Sequence, residues 1–152
     1  MGADVTVLDR SLPRLRFLDD VFGGQFKTGY ANSAMTAELA SAADMIIGAV
    51  LVPGATAPKL ITKKMVESMK VGSVIIDLAS EFGGNCELTK HGETVNYKSK
   101  KIVGPKNLAA TVSQDSSRLF AKNVINFLMN SCESGKFSDF NCHDEAVKET
   151  CV

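Results

Sequence analysis

Short apolar segments alternate with amphipathic segments along the first hundred residues. Continuous apolar runs predict strands, and apolar side chains recurring every three or four positions predict helices. The predicted strands are 4–9, 25–28, 45–51, 73–78 and 101–104, and the predicted helices are 12–22, 33–43, 58–69 and 116–129. Because the strand at 45–51 is almost uninterrupted in its apolarity, we expect both of its faces to be buried. The alternation predicts an α/β, doubly wound parallel sheet.

Two other stretches lack a strand or helix pattern. Residues 89–101 are polar and rich in lysine, which predicts a mobile surface loop with Lys98, Lys100 and Lys101 in solvent. Residues 131–152 are polar and contain Gly135, so we expect a poorly ordered tail.

Composition narrows the class of protein. The 152 residues are 45% hydrophobic and 22% charged, which is typical of a single globular domain. Seventeen basic residues balance seventeen acidic ones, so a nucleic-acid partner is not expected. The longest apolar stretch, 45–53, is too short for a bilayer, which needs about 20 residues. Without a signal-peptide pattern or a zinc-site spacing, the chain is expected inside the cell with its four cysteines reduced.

Asp9 is the most informative single residue. It ends a predicted strand and precedes Ser11 and Pro13, a helix N-cap and first-turn pair. In a dinucleotide-binding domain, an acidic residue at the end of the second strand accepts hydrogen bonds from the adenosine ribose. The alternative is an ordinary surface aspartate. The matching G-x-G-x-x-G turn belongs about 20 residues upstream, so the sequence predicts a Rossmann-like fold truncated at its amino terminus, without the first, central strand and glycine loop.

Two further strand ends carry candidate chemistry, because open α/β sheets bind ligands at the carboxyl ends of their strands. Pro53 and Gly54 follow the strand at 45–51, and they either make a simple turn or help to enclose a nicotinamide ring. Asp77 is expected to cap backbone amides, which leaves Glu81 as the better site candidate. His91 and His143 lie in polar segments and are expected in solvent. The sequence contains no evident nucleophile or catalytic triad.

Several strings in the chain resemble one pair of families. They are 2–9 (GADVTVLD), 47–54 (IGAVLVPG), 57–62 (APKLIT) and 69–77 (MKVGSVIID). The chain looks like the NAD(H)-binding component, or alpha subunit, of proton-translocating NAD(P) transhydrogenase and like its relative alanine dehydrogenase. The strings 83–89 (GGNCELT), 119–128 (LFAKNVINFL) and 144–150 (DEAVKET), with Glu81, resemble the transhydrogenase more closely. Residues 18–24 and the short 29–43 segment resemble alanine dehydrogenase.

The resemblance implies a set of cofactor-binding residues and no catalytic or metal-binding one. Asp9 would accept hydrogen bonds from the adenosine ribose, with Arg10 and Ser11 near it. Val50 and Leu51 would line the cleft. Leu78, Ala79 and Glu81 would flank the nicotinamide, and Asn107 with Leu108 would close that side. Residues 1–110 would be a partial NAD-binding domain, and 111–152 a helix and tail that return to an absent first domain.

The resemblance also implies a function. Hydride would pass between NAD(H) on this component and NADP(H) on a partner domain, coupled to proton translocation by a membrane-spanning component. The chain would form a homodimer on the cytoplasmic side of that complex, or on the matrix side of an organelle. The alternatives are an alanine dehydrogenase-like, NAD-dependent oxidoreductase, and a non-catalytic remnant that folds, dimerises or binds a partner.

Overall fold

The computed structural model describes residues 2–132 and 145–150. Contacts within the chain define two units, one ending at Lys106 and one beginning at Asn107. The first unit contains strands β1 (Thr6–Asp9), β2 (Lys27–Tyr30), β3 (Met45–Gly48), β4 (Val74–Asp77), β5 (Thr94–Tyr97) and β6 (Lys100–Val103), and helices α1 (Leu12–Phe22), α2 (Ser33–Ala42) and α3 (Lys63–Ser68). The mixed α/β, Rossmann-like fold is the one predicted.

Local signals explain where the helices begin and end. The Ser11 hydroxyl accepts a hydrogen bond from the Arg14 amide at the start of α1, and Gly23 ends that helix with a left-handed φ of 56°. Helix α3 was expected from residue 58 but begins only after Thr62. The preceding amides of Leu60 and Ile61 donate to the Asn85 carbonyl at 2.8 and 3.0 Å, which holds the chain extended there.

The strands form two separate sheets. Strands β1 and β2 pair in parallel, and the other sheet has the order β3-β4-β6-β5, with β3, β4 and β6 parallel. Within the described residues, β1 pairs only with β2, and β3 pairs only with β4. In the doubly wound order 3-2-1-4-5-6, these two open edges are the neighbours of the first strand. The two sheets are thus divided at the place where that order has its first strand.

The predicted loop at 89–101 is a hairpin, which corrects the sequence interpretation. Strands β5 and β6 pair antiparallel around Lys98 and Ser99, whose φ angles of 46° and 61° form the tight turn. Val95 and Tyr97 pack on the core. Lys100 is buried rather than solvated, and its ammonium donates to the Glu67 carbonyl at 3.3 Å.

The core of the first unit lies on the four-stranded sheet. Its fully or almost fully buried members are Ile61, Val66, Met69, Ile75, Cys86 and Ile102. The expectation that both faces of β3 are buried is wrong, because Met45 and Ile47 are 56% and 60% exposed. Strand β3 is an edge strand, and no described element covers the face that carries these two side chains. Only Ile46, on the opposite face, packs against the core.

The described part of the second unit is mainly helical. It contains α4 (Leu108–Thr111), α5 (Ser113–Ser131) and α6 (Glu145–Thr150). Helix α6 lies in the tail that was expected to be poorly ordered, and the tail's residues 133–144 and 151–152 are outside the described ranges. The apolar side chains of α5 are exposed, among them Leu119 and Phe120. No helix in the described ranges has the length and apolarity needed to cross a membrane.

Candidate functional site

The carboxyl ends of β3 and β4 form an edge where five of the candidate residues lie, namely Val50, Leu51, Leu78, Ala79 and Glu81. Gly48 and Asp77 are partners in the register of these strands, and the Leu78 amide donates to the Gly48 carbonyl at 2.8 Å. The segments that follow, 49–58 and 78–89, therefore start side by side. This is the edge at which parallel α/β sheets bind ligands.

Asp77 is a structural residue at this edge. Its side chain is 0% exposed and accepts hydrogen bonds from the Ala79 amide at 3.2 Å, the Cys86 amide at 2.9 Å and the Thr89 hydroxyl at 2.6 Å. The prediction that Asp77 caps backbone amides is confirmed. Burial raises the pKa of the neighbouring Cys86 thiol, which therefore stays protonated near neutral pH.

Glu81 follows Asp77 on an exposed turn. It lies in a 3-10 helix, Ser80–Phe82, which ends at Gly83 with a left-handed φ of 97°. Its carboxylate is exposed, as is Leu78, whereas Ala79 is fully buried and offers no side-chain surface to a ligand. The predicted trio is thus together in sequence and at one edge, but only two of its side chains are accessible.

Ser80 and His91 form a pair that sequence reasoning missed. The Ser80 hydroxyl lies 3.2 Å from His91 Nδ1 and donates to the Pro105 carbonyl at 3.0 Å. Since its single proton is committed to that carbonyl, Ser80 is not an activated nucleophile in this arrangement. His91 itself is exposed, as expected.

Val50 and Leu51 begin an apolar segment after β3. Both are exposed, and Val52 is exposed beside them. The Ala55 amide donates to the Val52 carbonyl at 3.1 Å and Gly54 has a φ of 72°, which makes residues 52–55 a type II turn with Pro53 at its second position. The turn and the apolar surface occur together, so the two sequence interpretations of Pro53 and Gly54 are compatible.

Asp9 ends β1 in the other sheet. Its Oδ1 accepts a hydrogen bond from the Ser11 amide at 2.8 Å. Its Oδ2 makes no hydrogen bond to any described residue, and the side chain is half-buried. Arg10 is exposed, and Ser11 caps α1. No hydrogen bond between described residues links these three to the edge of β3 and β4.

Asn107 and Leu108 lie in the second unit. Asn107 has a left-handed φ of 49°, and its Oδ1 accepts from the Ala110 amide at 3.3 Å at the start of α4. Leu108 is exposed. Asn107 thus acts as a helix cap.

One hydrogen-bond acceptor and one apolar surface among these residues are of the kinds that the two ends of a dinucleotide need. Asp9 Oδ2 is a carboxylate oxygen open to a ribose hydroxyl at a strand end. Val50, Leu51 and Val52 offer an apolar surface suited to a flat ring. A glycine-rich turn between strand and helix, which would hold the pyrophosphate, does not occur in residues 2–132 or 145–150.

Comparisons with known proteins agree with this architecture. The chain is 52% identical over 90 residues to the alanine dehydrogenase of Halomonas elongata, which covers 59% of this chain and 24% of the relative. It is 48% identical over 110 residues to an NAD(P) transhydrogenase alpha subunit of Rhodospirillum rubrum, covering 72% and 29%. A solved L-alanine dehydrogenase superposes with a TM-score of 0.78 at 31% identity, over 88% of this chain and 38% of that one.

The chain spans between about a quarter and two fifths of the length of these relatives. The family profile described as "Alanine dehydrogenase/PNT, C-terminal domain" matches residues 1–152, which is the whole sequence. The chain belongs to the alanine dehydrogenase/PNT C-terminal domain family.

Proposed function

We propose that this chain is the NAD(H)-binding portion of a proton-translocating NAD(P) transhydrogenase. The observation that carries the proposal is Glu81, together with the strings at 83–89 and 119–128 that resemble transhydrogenase. The 48% identity over 110 residues to the Rhodospirillum rubrum transhydrogenase subunit supports the family but not the choice within it, because alanine dehydrogenases match at 52% over 90 residues and at 36% over 140 residues. Glu81, on the exposed turn after β4, is the residue that resembles transhydrogenase at this position.

The residues of the chain would bind and orient the nucleotide. Asp9 would accept hydrogen bonds from the adenosine ribose through Oδ2, since Oδ1 is already engaged by the Ser11 amide. Val50 and Leu51 would contact the nicotinamide half, with Leu78 and Glu81 beside it. Arg10 would lie near the adenosine end.

Hydride exchange between nicotinamide rings is chemistry that NAD(H) and NADP(H) supply themselves. Such an enzyme needs positioning of two nucleotides rather than an acid and base pair. In this proposal a partner component holds NADP(H), and a membrane-spanning component couples the exchange to proton movement. The chain would act as a homodimer on the cytoplasmic or matrix side of the complex.

The test is a fluorescence titration of the purified chain, once circular dichroism shows that it is folded. We expect saturable binding of NADH and weaker binding of NADPH, because the 2′-phosphate would approach the Asp9 carboxylate. Asp9→Asn should weaken NADH binding about tenfold, the effect of losing a charged hydrogen bond of about 1.4 kcal/mol. If Asp9→Asn and the unmodified chain bound NADH with equal affinity, Asp9 would not be part of the binding site.

Alanine dehydrogenase is the second candidate, favoured by the TM-score of 0.78 with an L-alanine dehydrogenase. The two functions are separated by two assays on the same preparation. Reduction of NAD⁺ dependent on alanine would support the dehydrogenase. Hydride transfer from NADH to NADP⁺ after addition of an NADP(H)-binding transhydrogenase component, without any response to alanine, would support the transhydrogenase.

A further inference from the structure

The side chain of Asn85 holds both ends of the apolar segment at residues 50–58. It is 1% exposed. Its Nδ2 donates to the Val50 carbonyl at 2.9 Å and to the Pro58 carbonyl at 3.0 Å, and its Oδ1 accepts from the Val50 amide at 2.9 Å. One amide therefore closes a nine-residue segment at its base.

The segment has an outgoing leg, which begins at Val50 as the chain leaves β3, and a returning leg, which runs from Ala57 toward Ile61. The two legs are held differently. The returning leg has backbone support, because Ala57 donates to the Phe82 carbonyl at 2.8 Å, and Leu60 and Ile61 donate to the Asn85 carbonyl. The outgoing leg lacks such support. Among the described residues, the hydrogen bonds that fix Val50 are the two made by the Asn85 side chain. The direction in which the chain leaves β3 thus depends on one side chain.

The structure also fixes Asn85 itself. A Cβ placed on Gly48 would lie 3.2 Å from Asn85 Cβ and Oδ1, so the asparagine packs directly over the last residue of β3. On the following residue, the Cys86 amide is bound by the buried Asp77 carboxylate. With backbone and side chain both held, Asn85 has little freedom to release the Val50 leg.

We propose that Asn85 is a positioning residue that holds the 50–58 segment in the conformation that receives the nicotinamide half of NAD(H). The proposal rests on the proposed function for the identity of the ligand. In this conformation Val50, Leu51 and Val52 are exposed beside the turn that carries Glu81. Without the clamp, the outgoing leg would sample other conformations, and the affinity would fall with the fraction of chains in the competent one.

The first experiment tests the clamp without any ligand. Amide hydrogen exchange of the unmodified chain should show Val50 protected at least about tenfold more strongly than the turn amide of Gly54, which makes no such bond. In Asn85→Ala this protection of Val50 should be lost, while the amides of β4 and β6 keep theirs. Equal exchange of Val50 and Gly54 in the unmodified chain would overturn the proposal, even if no variant can be prepared.

The second experiment measures NADH and AMP binding to the same proteins. Asn85→Ala should raise the dissociation constant for NADH about tenfold or more, as expected when the competent fraction falls to about a tenth. AMP lacks the nicotinamide half, so its affinity should stay unchanged. Asn85→Asp, which keeps the accepted bond but turns a second oxygen toward the Val50 and Pro58 carbonyls, should show the same selectivity with a larger loss of NADH affinity. The exposed Asn96→Ala in β5 is the matched control and should change neither affinity.

The outcomes separate this inference from the proposed function. NADH binding that survives Asn85→Ala despite lost Val50 protection would overturn the positioning role and leave the proposed function intact. Equal weakening of NADH binding and AMP binding would show that Asn85 supports only the general stability of the fold, and would also overturn the positioning role. An unmodified chain that binds neither nucleotide would overturn the proposed function and the ligand assignment together, whereas the exchange result would still report whether Asn85 clamps the segment.

Discussion

Asp9 and Asp77 are the last residues of parallel strands, yet they occupy opposite environments. Asp77 ends the interior strand β4 of the four-stranded sheet, is fully buried and accepts three hydrogen bonds. Asp9 ends β1 of the two-stranded sheet, is half-buried and accepts one. An aspartate at a strand end therefore has no fixed role. The segment that follows the aspartate determines whether its carboxylate accepts hydrogen bonds from the protein itself or stays available to a ligand.

The difference between the two sheets has a simple physical origin. Strand β4 has a neighbour on each side, and the 78–89 segment folds back over its end to bring the Cys86 amide and the Thr89 hydroxyl to Asp77. After β1, the chain turns directly into α1 and returns only the Ser11 amide to Asp9. The carboxyl end of β4 is therefore closed by the 78–89 segment, whereas the carboxyl end of β1 stays open.

The largest effect is expected where the closed end is most crowded. A Cβ on Gly84 would lie 2.7 Å from Asp77 Oδ2 and 2.8 Å from Thr89 Cγ2, at a φ of +80°. Gly84→Ala should lower the free energy of unfolding by about 3 kcal/mol through steric strain and left-handed backbone cost. Gly54→Ala is the control, with a φ of +72° and open space around it. It should cost about 1 kcal/mol in urea unfolding, and equal losses would show that the Asp77 pocket adds no constraint.

The next effect tests the two aspartates directly. Asp77→Asn should lower the free energy of unfolding by about 2 kcal/mol, because charge-assisted hydrogen bonds to buried donors are weakened. Asp9→Asn, the same change at the open end, should alter it by less than about 0.5 kcal/mol. Denaturant titration of both variants gives the comparison. A larger loss for Asp9→Asn than for Asp77→Asn would contradict the assignment of the structural role to Asp77.

Much of the local structure at both strand ends was predictable from the sequence. Ser11, Pro13 and Gly23 place α1 correctly because capping is a local effect. The capping role of Asp77 was also predicted correctly, although the donors that Asp77 meets come from the 78–89 segment rather than from its position at a strand end. The hairpin β5–β6 was missed because its lysines and short strands resemble a loop, although Thr94–Tyr97 alternates polar and apolar residues.

The remaining errors concern contacts between distant segments. The burial expected for Met45 and Ile47 fails because it depends on neighbours of β3, and apolarity alone does not supply them. Asn85 was not singled out, since its role arises from Val50 and Pro58, residues 35 and 27 positions away. No pattern around Asn85 encodes those distances. Only the folded loops bring the three together.

The smallest effects are expected at two surface ion pairs, one near each sheet. The Tyr97 hydroxyl donates to Glu67 Oε1 at 2.6 Å and the Lys98 ammonium donates at 3.0 Å, and these two bonds lower the pKa of Glu67 below its ordinary 4.5. Near β1 and β2, the Lys27 ammonium and the Asp4 carboxylate are 2.8 Å apart and both well exposed. Tyr97, on a strand packed against the core, is a third member of the Glu67 and Lys98 group, whereas no other described residue joins Lys27 and Asp4.

A carboxyl group with a lowered pKa in the folded state stabilises that state above its unfolded pKa, and the contribution disappears as the pH falls through the folded value. Glu67→Gln should therefore lower the thermal midpoint at pH 7, by about 2 °C at most for so exposed a group. The difference from the unmodified chain should shrink steadily below pH 4.5. Asp4→Asn should give a smaller difference at pH 7, measured in the same calorimetric scans. If the lower thermal midpoint of Glu67→Gln persisted undiminished at pH 3, the charge of Glu67 would make no contribution to stability. At that pH the Glu67 carboxyl group is far more protonated than at pH 7, so an effect of its charge should have become smaller.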